Sequence, residues 1–366
     1  MKSSRSVRIF TGISLATLAI SAISSLAFTT VTASINKIDA FAGIDNRPEK
    51  ISSAINYLLV GSDTREGLSK AELKELRVGS VATAAGKRSD TMLLVHISKA
   101  RDKAVLISIP RDSFALIPSH TNKAGKVIPA VHSKVNSAFN WGGAPLLIQT
   151  IEEMTLLKID HYVEINFSGF AQVVDALGGI EVCTKKDIDD PKSHLVLEAG
   201  VHTLNGIDAL KYVRTREFDG LGDIGRMQRQ QAFMSSVLKK ATSAGVLLNP
   251  ITMSNFINSS LDAVTTDEGL KSSDLILLAK EMKTLATSNI RTLTVPLSNL
   301  NYYANGVTAS VLWDPTLAPE LWNRLREDRA VVDEVVASAS PSSTKPPKIE
   351  IVDKFKTRTA EDNICR

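Results

Sequence analysis

From Ile9 to Asn36 the chain carries no charged residue, and this run constrains everything that follows it. Lys2, Arg5 and Arg8 precede it and Lys37 closes it. It exceeds the roughly 20 residues that span a bilayer as a helix. It is rich in Ser and Thr, but it contains no Pro and a single Gly, Gly12. The positive-inside rule keeps the basic flank cytoplasmic and places the chain beyond Lys37 outside. A cleaved signal peptide, with Thr32, Ala33 and Ser34 as its small-residue site, is the competing reading; the length favours an uncleaved anchor. Residues 1–36 are therefore expected to be a cytoplasmic flank and transmembrane anchor of a single-pass cell-membrane protein.

Export limits what the rest can be. A hydrophobic content of 43% over 366 residues supports a large core, and a net charge of +4 is only mildly basic. That balance, outside the cell, excludes nucleic acid as a partner. Cys183 and Cys365 are the two cysteines. In an oxidising compartment they suggest one disulfide tying the tail to the body, with two free thiols as the alternative. By composition, residues 37–50 read as a juxtamembrane linker and 51–330 as one globular domain. Residues 331–366 read as a tail with a Ser/Pro-rich linker, SASPSSTKPPK, and Cys365.

Within the globular part, short apolar strands alternate with helices. Asn56 to Val60 reads as a strand ending at Gly61, Ser62 and Asp63. Asp90 to Ser98 and Ala104 to Pro110 read as a hairpin around the polar turn from Lys99 to Asp102. Ala144 to Leu156 and Phe167 to Leu177 have helical spacing, the second stopped by Gly178 and Gly179. Ile180 to Cys183 is a further strand, and Gly206 to Val213 a helix behind Asn205 as cap. A helix from Ser273 to about Leu285 should lead to a strand at Arg291 to Val295. The expected class is α/β or α+β: a mixed central sheet flanked by helices.

The segment YVRTREFDGLGDIGRMQRQQ, Tyr212 to Gln231, concentrates Arg214, Arg216, Arg226 and Arg229. The rigid guanidinium fork matches two phosphate oxygens at once. Arg214 and Arg216 share a side if extended, and Arg226 and Gln230 share a helix face near an apolar stripe of Met227, Met234 and Leu238. A solvated, salt-bridged helix is the plainer reading. Other charges sit at strand ends: Asp63 and Arg65 after the first, Arg88 and Asp90 before the second, Arg111 and Asp112 after the third. If those strands are neighbours, two aspartates and several arginines converge on one rim, which suits a Mg²⁺-pyrophosphate site. Turn and capping duty is the commoner use of Asp at such places. There is no Ser-His-Asp series, no G-x-S-x-G elbow and no Walker loop, and the six histidines lack metal-ligand spacing.

The blocks YLLVGSDTR, RSDTMLLVHIS, VLISIPRD, KVNSAFNWGG, VDALGGIEV, LNGIDALKYVRTR and DIGRMQRQQ resemble, in order, those of the LytR-CpsA-Psr (LCP) family, in a spelling like its actinobacterial members. The resemblance implies an LCP-like extracytoplasmic catalytic domain. It implies a Mg²⁺-dependent (alternatively Mn²⁺-dependent) phosphotransferase moving a glycopolymer from a polyprenyl-pyrophosphate carrier to peptidoglycan through a phosphodiester. It assigns the metal to Asp63 and Asp90 and the pyrophosphate to Arg88, Arg111, Arg214, Arg216, Arg226 and Gln230, with Arg65 inside the same motifs. Arg111 is the expected catalytic cation, and Asp223 or Asp112 the general base. The helices at Ala144 to Leu156 and Phe167 to Leu177 are expected to wall a polyprenyl pocket. The stretch Glu66 to Lys87 is longer than in compact members and suits a lid or polymer-binding loop. Two alternatives stand: a polyprenyl-pyrophosphate phosphatase or pyrophosphatase, and a non-catalytic envelope binding or regulatory protein.

Overall fold

Alternate residues of a strand face opposite ways, so a strand buried on both faces needs apolar residues at every position. The strand Ala104–Ile109, AVLISI, is buried throughout and sets the middle of the fold. The computed structural model describes residues 36–64, 68–76, 89–122, 124–217, 219–220, 222–241, 264–271, 273–274, 287–336 and 349–359. The main sheet holds β1 (Asn36–Ile38), β2 (Ile55–Ser62), β3 (Ser89–Ile97), β4 (Ala104–Ile109), β5 (His161–Ile165), β6 (Val264–Asp267), β7 (Ile290–Thr294) and β8 (Arg358–Thr359). Their spatial order is β1-β6-β5-β2-β3-β4-β7-β8. β2, β3 and β4 are antiparallel neighbours, while β5 runs parallel to β2 and β7 parallel to β4. The fold is thus a mixed α+β arrangement around a large central sheet.

Among the described residues the helices are α1 (Lys70–Glu75), α2 (Val135–Thr155), α3 (Phe167–Ala176), α4 (Gly206–Arg214), α5 (Gly222–Ala241) and α6 (Leu317–Arg326). Leu58, Val60, Met92, Leu94, Ile107 and Ile109 point to one face of the sheet and pack with Leu147, Ile148 and Ile151 of α2. Leu59, Leu93 and Leu106 point to the other face, where Met234 and Leu238 of α5 lie. The side-chain carbonyl of Asn166 accepts from Gly169 N (2.7 Å) to cap α3, and that of Asn205 accepts from Asp208 N (2.9 Å) to cap α4. Gly178 and Gly179 follow α3 with φ of 73° and 85°, a backbone that side chains resist.

α2 begins nine residues before the sequence suggests, at Val135, because its kink at Gly143 (φ 66°) and Pro145 joins two helical pieces. The helix α6 and the hairpin Leu297–Ala304/Val307–Trp313 were not anticipated. Both ends of the described chain join the sheet. β1 pairs parallel with β6, Ala40 is fully buried, and Arg47 donates to both oxygens of Glu152 (2.6 and 3.0 Å), so the residues read as a linker are packed. At the other end Phe355 enters the core and β8 pairs with β7. Cys183 is disulfide-bonded; its expected partner, Cys365, lies outside the described residues. So do the expected anchor through residue 35 and all of the expected helix from Ser273 to Leu285 beyond Asp274. No helix among the described residues is long and apolar enough to cross a membrane.

Candidate active site

Two cross-strand rows on the α5 side of the sheet form the floor of a cavity of about 290 Å³. One row runs Val163, Leu59, Leu93 and Ser108 across β5, β2, β3 and β4. The next runs Val264, Ile165, Gly61 and Thr91 across β6, β5, β2 and β3. Gly61 keeps this floor low, because a Cβ there would stand 3.3 Å from that of Thr91. Phe167, Phe170, Val173 and Val174 of α3 form one wall, and Phe233, Met234 and Val237 of α5 the other. α2 packs on the opposite face of the sheet, so the expectation that Ala144 to Leu156 walls this space is corrected. Helical periodicity identifies an apolar stripe but not the face of the sheet that the stripe covers.

The cavity's polar contribution comes chiefly from the arginine segment. Arg214, Arg226 and Gln230 line it together, although Arg214 ends α4 and the other two belong to α5. Arg226 is only 5% exposed. Arg214 lies over the Phe167 ring (5.3 Å to the centroid) and reaches the Leu76 carbonyl at 3.5 Å. Gln230 donates to the Val213 carbonyl (3.2 Å), which stitches α5 to α4 behind the arginines. Arg229 is structural: it ion-pairs with Asp219 and donates to the Thr215 carbonyl (2.6 Å), holding the intervening loop. Gln231 donates to Ser108 Oγ (3.1 Å) and Thr294 Oγ1 (2.7 Å), fixing α5 on β4 and β7.

Arg216 is held through its backbone by Asp190, which sequence reasoning missed. Asp190 is 1% exposed, and its Oδ2 accepts from Arg216 N (2.6 Å) and Glu217 N (2.8 Å). Its Oδ1 accepts from Lys192 N (3.0 Å) and Ser193 N (2.7 Å). Burial alone raises this carboxyl's pKa, but the four N–H donors outweigh it and bring it down to about 2.

The strand ends that carry Asp63, Asp90 and Arg111 lie at the same edge of the sheet. Gly61 pairs with Thr91 and Ser62 with Ser89, so Asp90 is the extra residue of a β-bulge, directly beside the strand end that carries Asp63. Asp63 is half-buried. Met92 pairs with Ile109, which brings Arg111 to this edge as well. Asp112 lies 3.5 Å from Arg111 Nε and 3.3 Å from Lys134 Nζ, which engages it between two cations. Asp223 is the second residue of α5. Arg65 and Arg88 lie outside the described residues. Of the long stretch between the aspartates, α1 docks on α4: Lys211 Nζ pairs with Glu75 Oε1 (2.9 Å), and Leu76 is buried with Phe167 and Tyr212. No group of three or more His, Cys, Asp or Glu side chains that could hold a metal occurs among the described residues.

Fold and site define a sheet-and-helix protein with an apolar cavity lined at one side by arginines. Residues 23–327 match the model of the LytR_cpsA_psr family, and the chain belongs to that family. It is 38% identical over 275 residues to a probable cell wall biosynthesis protein, LcpB, of Corynebacterium glutamicum, covering 75% of this chain and 62% of LcpB. It is 35% identical over 196 residues to TagT of Bacillus subtilis, a polyisoprenyl-teichoic acid–peptidoglycan teichoic acid transferase, covering 52% of this chain and 53% of TagT. The chain thus spans only about half to three-fifths of the length of these curated relatives. A solved structure of TagT bound to LI-WTA matches with a TM-score of 0.57 at 26% identity, covering 81% of this chain and 98% of that one.

Proposed function

We propose that this protein is a phosphotransferase that moves a glycopolymer from a polyprenyl-pyrophosphate carrier to peptidoglycan, leaving a phosphodiester link. One observation carries the reading: an apolar cavity shares its lining with Arg214, Arg226 and Gln230, beside the edge that holds Asp63, Asp90 and Arg111. A long apolar chain with a dianionic head suits such a space, since the tail is desolvated by the cavity and the head is gripped by guanidinium forks. The domain works outside the membrane in which its N-terminal anchor holds it.

Asp63 and Asp90, at adjacent strand ends, would hold Mg²⁺ through hard carboxylate oxygens, the donor type that this ion prefers. Bound there, Mg²⁺ would supply charge neutralisation to the two phosphates. Arg214, Arg226 and Gln230 hold the pyrophosphate at the cavity, and Arg111, two residues past the end of β4, is the further cation at the neighbouring strand edge. An acceptor hydroxyl oxygen attacks the sugar-proximal phosphorus, the bond from that phosphorus to the bridging oxygen breaks, and polyprenyl phosphate leaves. The hydroxyl proton passes to a base, for which Asp223, in the first turn of α5, is the candidate. Positioning and charge stabilisation suffice for such transfer, so no nucleophilic side chain is required.

The test supplies the full chain in detergent with a polyprenyl-pyrophosphate glycan, Mg²⁺ and uncrosslinked peptidoglycan chains, beside Arg226→Lys and Asp90→Ala. Phosphodiester-linked glycan should form with the native protein and fall by roughly 100-fold or more in both variants. Release of glycan phosphate despite abundant acceptor would instead mark a hydrolase. Donor binding without turnover, with or without Mg²⁺, would leave a carrier-binding protein.

A further inference from the structure

The hairpin Leu297–Ala304/Val307–Trp313 is largely exposed, yet residues 297–313 contain no charged side chain in a protein that is 22% charged. What it offers instead is rings and amides. Tyr303 is 59% exposed, Tyr302 is half-buried, and Asn299 and Asn301 are exposed beside them. Asn305 and Gly306, both at positive φ, make the tight turn at its tip. Consecutive on the strand, the two rings face opposite ways: Tyr302 turns toward the body of the domain and Tyr303 toward solvent.

Its position is fixed next to the reacting edge. Val311 N donates to the Asp112 carbonyl (2.8 Å), and Trp313 Nε1 donates to Ser113 Oγ (2.9 Å), which itself donates to the Pro110 carbonyl (2.7 Å). The hairpin is therefore bolted to the residues that immediately follow Arg111. Beyond them, strand Phe114–Ile117 pairs with Val131–Lys134. Ala115 and Ile117 turn into the core, which leaves Phe114, Leu116, His132 and Lys134 on the outer face. His132 stacks on Phe114 (5.1 Å, 13° between planes), and Tyr302 meets the same ring edge-on (5.2 Å). Leu116, 46% exposed, extends the apolar strip away from Asp112.

We propose that this aromatic strip, with Tyr302 at its centre and Tyr303 and the hairpin asparagines at its exposed rim, is the subsite that grips the acceptor glycan chain. The proposal rests on the transfer reading above and gives the acceptor a place in it. Pyranose rings present C–H faces that lie on aromatic rings and hydroxyls that pair with amides, whereas a pyrophosphate or nucleic acid would call for cations, which the hairpin lacks. Lys134 and Asp112 mark the end of the strip at which the chain reaches Arg111.

The test measures binding of soluble, uncrosslinked peptidoglycan glycan chains to the full chain, and the acceptor and donor KM of transfer, for the native protein, Tyr302→Ala, Tyr303→Ala and Tyr302→Phe. Each alanine variant should weaken glycan binding and raise the acceptor KM by roughly tenfold without moving the donor KM, and Tyr303→Ala, which removes an exposed ring, should also keep the native Tm; Tyr302→Phe should stay near native. Unchanged glycan binding in both alanine variants overturns the proposal, and so does a change confined to self-association. If the native protein transfers nothing, the functional reading fails on its own, and the binding arm still decides whether this face holds glycan.

Discussion

At the scale of single residues, Asp190 shows how a buried carboxylate positions a cation without touching it. Its four backbone donors fix the chain at Arg216 and Glu217 on one side and at Lys192 and Ser193 on the other. Its pKa is brought from the ordinary 3.8 down to about 2 against the opposing pull of burial. A depressed folded pKa stabilises the fold above the unfolded value and loses that contribution as the carboxylate protonates. Asp190 should therefore contribute about 2 kcal/mol above pH 4, and this should decline between pH 4 and 2. Chemical denaturation of the native protein and Asp190→Asn across that range checks it: the gap should narrow with acid, and a constant gap contradicts the linkage. On the proposed function, with Arg216 among the cations that grip the carrier's head, Asp190→Ala should also weaken binding of a polyprenyl pyrophosphate by loosening Arg216. None of this was legible beforehand, because two of the partners are peptide N–H groups 26 and 27 positions away, and a peptide N–H has no sequence signature. Arg226 and Gln230 were legible because their spacing puts them on one helix face, whereas Arg214, read as extended beside Arg216, ends α4 and joins them only through the packing of α4 and α5.

At the scale of elements, the contact between α3 and α4 shapes the cavity wall. Gly206 opens α4 where it crosses α3, and a Cβ there would lie 2.3 Å from the Ala171 carbonyl oxygen. That neighbour is backbone and cannot swing aside. Gly206→Ala should cost about 3 kcal/mol and displace α3, measured as a lower Tm together with weaker binding of a polyprenyl phosphate. A variant with native Tm would show that the helices separate freely. The caps at Asn166 and Asn205 and the glycine stop after α3 were readable because each is a local signal. The start of α2 was not, since Gly142, Gly143 and Pro145 are helix breakers by propensity, and only burial of Val135, Ala138 and Phe139 holds its first turns in line. The hairpin Leu297–Ala304/Val307–Trp313 escaped notice for a related reason: its register shifts break the strict alternation by which strands are recognised.

For the whole molecule, the sheet separates two tasks. One face, with α2 and α6, holds the larger apolar cluster; the other, with α3, α4 and α5, leaves the cavity. The alternation of Leu58 and Val60 against Leu59 and Gly61 makes the same strand serve both. Binary pattern shows that both faces are buried but not that one is incompletely filled, because a gap arises from the separation of helices that the pattern does not encode. If that gap houses the carrier's tail, filling it should discriminate by tail length rather than by head group. Val173 lines the cavity from α3 and is half-buried, so Val173→Trp can project into the space at a cost of about 1–3 kcal/mol. Transfer from a long polyprenyl-pyrophosphate donor should fall by roughly tenfold or more, since uniform binding of the tail is lost. Transfer from a short-chain analogue carrying the same glycan should stay within about twofold, because the arginines and the strand edge are untouched. Parallel kinetics with both donors, at matched protein stability, separate the possibilities. Equal losses would mean that the introduced indole disturbs the head-group site through α3. No loss with either donor would mean that the tail lies outside the cavity, leaving Arg214 and Arg226 to bind the head from its rim.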